Sequence, residues 1–417
     1  MKRLLALPGL PLVSVSLALL TSTPVPAADW PEWRGPLRSD HSPDTGLLKQ
    51  WPSTGPKQLW VNRDGGLGYA GFSVIGNTLL TMGLRADQEF LLALDATTGK
   101  ELWATPAGPK YPNNWGDGPR ATPTVSGDKV LTLGGQGVLV CASLKDGKVL
   151  WQKSLVTDLG GKLQSWGYTE SPLVIQDLVI CTPGGSQGTL AALHLADGTT
   201  AWRSTELTDA AQYSSPIRVE HGGKTQIVQL VMSKVFGVDP TSGKVLWQHE
   251  WPGRVAVIPT PIYHDGHVYV SSGYGVGCML LKLGADQSVT KVYDNKVMKN
   301  HHGGVILVGE HLYGHSDGPG WVCQKFLTGE EVWADKSLGK GAVHYADGML
   351  YCLDEGSGEV AMVEASPKGW LEKGRFKLDP QTTQRNPQGR IWTHPVVVNG
   401  RLYLRDQELI HCYDVKG

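Results

Sequence analysis

The chain has 417 residues, a formal net charge of −1, 53 glycines and 15 tryptophans. Near-neutral charge excludes a protein that works as a whole by neutralising nucleic acid. The glycine and tryptophan content fits many tight turns between aromatic-packed strands, and points away from a helical chain.

Residues 1–27 read as an export signal. Lys2 and Arg3 form its basic start, residues 4–20 are mostly apolar, and Val25-Pro26-Ala27 supplies small residues for cleavage. Pro8, Gly9 and Pro11 interrupt the apolar run, which is then short for a membrane span. A periplasmic or secreted protein is expected, with no membrane span after cleavage. Residues 28–55 are rich in Pro and Gly and carry Trp30, Trp33 and Trp51. Three tryptophans need a surface to pack on, so this segment is expected to wrap over the body of the protein.

Residues 56–417 repeat one phrase. Asp95-Ala96-Thr97-Thr98-Gly99-Lys100-Glu101-Leu102-Trp103 follows the apolar run Leu91-Leu92-Ala93-Leu94. It reads as a strand, a polar turn with Gly, and a short strand ending in Trp. Residues 239–247 are nearly the same, 145–151, 197–202 and 327–333 are shorter forms, and 284–293 and 354–360 are worn copies. Trp103, Trp151, Trp202 and Trp247 stand 48, 51 and 45 residues apart. Periods of this size mark propeller blades or solenoid units, and a helical period is missing. A second phrase, often a small residue and Pro before an apolar strand, marks unit starts near 70, 121, 170, 214, 258, 301, 341 and 392. Four short strands fit in each unit, as in a propeller blade.

The eighth unit stops at Gly417, where its Trp-bearing strand should begin. Pro56-Lys57-Gln58-Leu59-Trp60 resembles that missing strand, and closing the ring with it would cover two exposed edges. The fold expected is therefore all-β: an eight-bladed β-propeller of four-stranded antiparallel blades, the last closed by an N-terminal strand. Of six cysteines, Cys141, Cys323 and Cys412 occupy equivalent places in different units, which lie far apart in a ring. They are expected to be small buried hydrophobes rather than disulfide partners.

The repeat resembles the pyrroloquinoline-quinone (PQQ)-like propeller family, whose blades dock through such tryptophans. The opening Trp30-Pro31-Glu32-Trp33-Arg34-Gly35-Pro36, with Thr45-Gly46-Leu47, resembles the start of secreted PQQ-like proteins of planctomycete-type bacteria. The resemblance implies one of two kinds of work. Some members are quinone-dependent alcohol or sugar dehydrogenases, and others, such as the BamB lipoprotein, use the ring as a scaffold. The large alcohol-oxidising group carries Ca²⁺, an Asp base and a disulfide between adjacent cysteines. No two cysteines are adjacent here, and the Ca²⁺ ligands have no residue-by-residue match.

The segments before each first strand should converge on one mouth of the ring. There the sequence places Tyr69, Trp115, Arg120, Trp166, Tyr168 and Glu170, then Gln212, Tyr213 and Arg254, then His301, His302, Arg390, Trp392 and His394. Rings, amides and charges of both signs make a polar-aromatic funnel suited to a sugar, a peptide loop or a flat cofactor. His301 and His302, if on a strand, would point opposite ways, so no metal site is expected. No catalytic residue is assigned. The expected function is binding or scaffolding of a protein or glycan partner at this mouth, by a monomer without a cofactor. The alternative is a PQQ-dependent alcohol or sugar oxidoreductase, with PQQ and Ca²⁺.

Overall fold

A computed structural model describes residues 29–417; the export signal read at 1–27 lies outside them. Eight antiparallel four-stranded blades succeed one another round a ring, as the repeat predicts. Their inner strands are Ser73–Ile75, Thr124–Ser126, Leu173–Ile175, Ile217–His221, Ile262–His264, Val305–Val308, Gly341–Ala346 and Val396–Val398. Blade eight takes its outer strand, Lys57–Asn62, from the start of the chain; it runs antiparallel to Leu409–Asp414, with Trp60 opposite Cys412.

The repeated tryptophans explain themselves locally. In blades one, two, three, four and six, Trp103, Trp151, Trp202, Trp247 and Trp333 sit across the ladder from Ala93, Cys141, Ala192, Gly237 and Cys323. A small residue faces the ring each time, which is why cysteine recurs there. All six cysteines are buried and free. The ring then reaches the next blade. Trp60 donates to Ala96 O (3.1 Å), Trp151 to Leu195 O (3.0 Å) and Trp202 to Pro240 O (2.8 Å). The turn glycine of that blade lies flat on the indole. A Cβ added at Gly99 would stand 2.5 Å from Trp60, and one at Gly243 2.3 Å from Trp202, both at positive φ. So the glycine serves two ends: it allows the left-handed turn and lets two blades meet. Side chains of neighbouring blades interleave beneath, as where Leu139 and Cys141 meet Val179 and Ala191.

One copy was misread in the sequence. The residues 354–358 join the second and third strands of blade seven, not the third and fourth. The equivalent turn is at 365–371, where Ser366 O accepts the Trp333 indole N–H (3.0 Å). Asp354 has the right side-chain chemistry for either turn, because its carboxylate accepts backbone N–H groups locally. Its turn therefore lies at the opposite end of the strands from the others and brings Glu355 against His302.

The N-terminal segment does more than wrap. Residues 30–42 cross the axis of the ring and touch inner strands all round it. Trp30 forms a bridge with Val74, and Pro31 O accepts from Val125 N (2.8 Å). Arg38 is 4% exposed and donates to Ser171 O, Pro172 O and Pro216 O as well as to Glu32. Trp33 Nε1 donates to Thr260 Oγ1 (2.9 Å) and Arg34 to Val305 O (2.5 Å). Asp40 accepts from His344 Nδ1 (2.7 Å), and His41–Ser42 pairs in parallel with Gly341–Ala346. His344 Nε2 in turn accepts from Val397 N, which fixes the neutral tautomer. Burial alone would raise the Asp40 carboxyl pKa, but the hydrogen bond from His344 and the Arg34 charge hold it well below the usual range. Only the later part of the segment behaves as a wrap. Leu47 pairs with Lys416, and Trp51 packs on Tyr351 and Phe376, which leads the chain outward to its closing strand.

Candidate functional site

On one face of the ring, the segments entering the inner strands surround a cavity of about 220 Å³. Its floor is made by the axial segment, through Trp33 and Arg34. Sequence reading missed both. They precede the repeat, so no periodicity points to them.

The structure brings nine expected residues onto this one wall. Tyr69, Trp115, Arg120 and Trp392 form one side, with Tyr69 and Trp115 rings 4.9 and 6.4 Å from Trp392. The Arg120 guanidinium lies 5.1 Å from the centre of the Tyr69 ring and donates to Gly118 O and Gly116 O. Trp166 and Tyr213 stack edge-on at 5.6 Å on another side. His301, His302 and His394 complete the set.

The other five expected residues are elsewhere. Tyr168 and Glu170 turn into the protein, where Tyr168 donates to Pro183 O (2.9 Å) and Glu170 accepts from Thr182 N and Oγ1. Gln212 braces the loop below, accepting from Val257 N (3.2 Å). Arg254 and Arg390 are exposed, two residues away in sequence from the wall residues Ala256 and Trp392. Gln212 adjoins Tyr213 and so faces back from the cavity, whereas Trp166 and Tyr168 stand two apart in an irregular segment that turns the second ring inward.

His301 and His302 do not diverge as a strand would make them. They lie in a bend before the strand Val305–Val308, with ring centres 4.9 Å apart. Lys340 Nζ donates to His301 Nδ1 (2.7 Å) and is itself paired with Asp317 (2.9 Å). Burial, with His302 and Lys340 nearby, pushes His301 down to about 3, so it is neutral. Its proton is then on Nε2, 2.7 Å from the Tyr274 hydroxyl. The Tyr274 oxygen accepts that bond, and its own O–H is left to donate into the cavity. His302 pairs with Glu355 (2.5 Å). Trp392 Nε1 is buried without a partner.

Two carboxyls behind the wall carry a pH dependence. Burial raises both Glu89 and Glu170 to about 7. A raised folded pKa means stability is full below the unfolded value near 4.5 and is lost as pH rises to about 7. Each carboxyl contributes on the order of 3 kcal/mol to that loss. The melting temperature is expected to fall between pH 5 and 8. The double variant Glu89→Gln, Glu170→Gln should flatten the profile; an unchanged slope would refute the assignment.

A family described as outer membrane protein assembly factor BamB matches residues 87–362. The chain belongs to this family. Its solved neighbours fall on both sides of the functional division. BamB from Moraxella catarrhalis matches with TM-score 0.60 and 15% identity, over 86% of this chain and 99% of that one. Quinohemoprotein alcohol dehydrogenase from Comamonas testosteroni matches with TM-score 0.66 and 12% identity, over 93% and 81%. A second quinohemoprotein alcohol dehydrogenase, from Pseudomonas putida HK5, gives TM-score 0.65 and 12% identity, over 93% and 80%. At these identities the likeness is one of fold: the PQQ-like, BamB-type eight-bladed propeller. No curated protein matches the chain. Among the described residues no helix is long and apolar enough to cross a membrane.

The BamB-type ring can be tested for a Ca²⁺-bound quinone on its donor set. Ca²⁺ takes about six to eight oxygen ligands, with carboxylates prominent among them. The cavity wall contains no Asp or Glu. Among the described residues, no three His, Cys, Asp or Glu side chains are grouped to hold a metal ion. The residues present do not fit that group.

Proposed function

We propose that this BamB-family propeller is exported and works by binding, as a scaffold or recognition module that takes a protein loop or a glycan segment in its funnel. The observation that carries this reading is the wall itself. Rings from several blades converge on an open cavity without a carboxylate. Such a surface offers large apolar faces and hydrogen-bond donors to a ligand. It lacks the carboxylate base and metal ligands that a quinone-dependent alcohol oxidation would ask for. The axial segment closes the floor, so a partner approaches from the mouth alone.

The deciding experiment is calorimetric titration of the protein with PQQ, with and without Ca²⁺, in one buffer. No saturable binding is expected in either condition. Tight binding at one site would overturn the reading in favour of an oxidoreductase. Alcohols and sugars would then be assayed with an artificial electron acceptor.

A further inference from the structure

We infer that the funnel takes an acidic saccharide, whose sugar faces stack on the tryptophans and whose carboxylate or sulfate groups meet Arg120. This rests on the binding reading above and names its ligand class.

Three observations converge. First, the charge of the wall is unbalanced. Arg120 makes its hydrogen bonds to backbone carbonyls, and among the described residues no carboxylate lies within ion-pair distance of it. Two carboxyls act on it through space: Glu89, which burial pushes up to about 7 so that it carries only part of a charge at neutral pH, and Asp117, which is paired with Lys110. Arg254 and Arg390, exposed on the segments that form the mouth, are likewise free of ion pairs among the described residues. Second, the wall offers hydrogen-bond donors. The relay from Asp317 through Lys340 and His301 leaves the Tyr274 O–H without an acceptor among the described residues, and the Arg120 guanidinium lines the same cavity. Donors without acceptors fit a ligand rich in oxygens and negative charge. Third, Trp115 is 43% exposed at the rim. A broad aromatic face held open to solvent suits the flat C–H face of a sugar ring and a ligand that extends out of the cavity.

The test uses the full chain after signal removal, titrated calorimetrically at low salt with four probes. These are a galacturonic acid tetramer, a sulfated disaccharide-repeat oligomer, a neutral cellotetraose, and an acidic peptide of equal charge. The two acidic saccharides are expected to bind at one site, at least about tenfold more tightly than cellotetraose. Arg120→Gln should weaken them by about ten- to a hundredfold, the worth of a charge-assisted hydrogen bond. Because Arg120 also holds Gly116 and Gly118, Arg390→Gln and Trp115→Ala serve as surface variants. Each should weaken the acidic saccharides while leaving the melting temperature unchanged. Binding by only one of the two acidic probes identifies the group and supports the inference. Equal binding of cellotetraose overturns the acidic requirement but keeps a glycan funnel. Binding of the peptide alone overturns the saccharide and keeps a protein-binding funnel. No binding of any probe overturns the inference, and the PQQ titration then decides separately whether the binding reading itself stands.

Discussion

Deleting residues 56–60 is expected to leave a chain that does not fold. They form most of the outer strand of blade eight, and their loss strips the ladder from Leu409–Asp414. It also removes Trp60, which packs on Gly99 of blade one. The deletion therefore opens the ring at the joint between its first and last blades and creates two unpaired edges. The expected loss is about 5 kcal/mol or more, comparable with the whole stability of an ordinary domain. Circular dichroism, thermal melting and size-exclusion chromatography check it. A control that replaces the exposed Lys57 and Gln58 by Ser should melt near the parent, because the ladder and Trp60 remain. A deletion variant that melts within a few degrees of the parent would show that the ring does not depend on this closure.

The second large effect is expected at Arg38. Its guanidinium lies in the axis of the ring with 2% side-chain exposure, and holds three carbonyls from blades three and four as well as Glu32. Arg38→Ala strands those acceptors and leaves Glu32 without its partner. Burial already raises the Glu32 carboxyl pKa, and the Arg38 charge works against that. Breaking such a pair costs about 3–5 kcal/mol. Arg38→Lys should recover little, because an ammonium group cannot reproduce the planar fork. Urea unfolding of both variants measures the effect. A loss below about 1 kcal/mol in Arg38→Ala would mean that the axial segment is only loosely seated.

The ring was legible because its units are local and repeated. Trp103 and Trp247 sit in near-identical phrases, and each phrase describes a turn that its own few residues determine. The closing strand was legible as well, since Trp60 keeps the spacing of the others. The misplaced copy at 354–358 shows where this fails. An Asp and a Gly make the same turn at either end of a strand, so the phrase cannot tell one end from the other. The wall of the funnel was legible in part, because residues before an inner strand have two sides. Trp166 and Tyr168 stand two apart, yet one faces the cavity and the other the core. The axial role of Arg34, Arg38 and Asp40 could not be read at all. Arg38 meets its carbonyls 133 to 178 residues away, and Asp40 meets His344 across 304. Nothing local in a Pro- and Gly-rich stretch announces such partners.

The wrap that follows the axial segment and the closing strand lie together ahead of the first blade, and both bind the last blade. Asp44 reaches Gly400, Leu47 pairs with Lys416, and Lys57 pairs with Asp414. On a ribosome, the first described residues appear long before their partners exist. The early blades can form as they emerge, but Trp51 must wait for Tyr351 and Phe376, and the closing strand with Trp60 must wait for Leu409–Asp414. Loop closure over more than 300 residues then comes last, and it is the slow kind of contact. During that wait the protein is an open arc with bare edges and exposed indoles, the state most prone to sticking to itself. A chaperone that shields the N-terminal segment would therefore change the yield of this protein more than its stability.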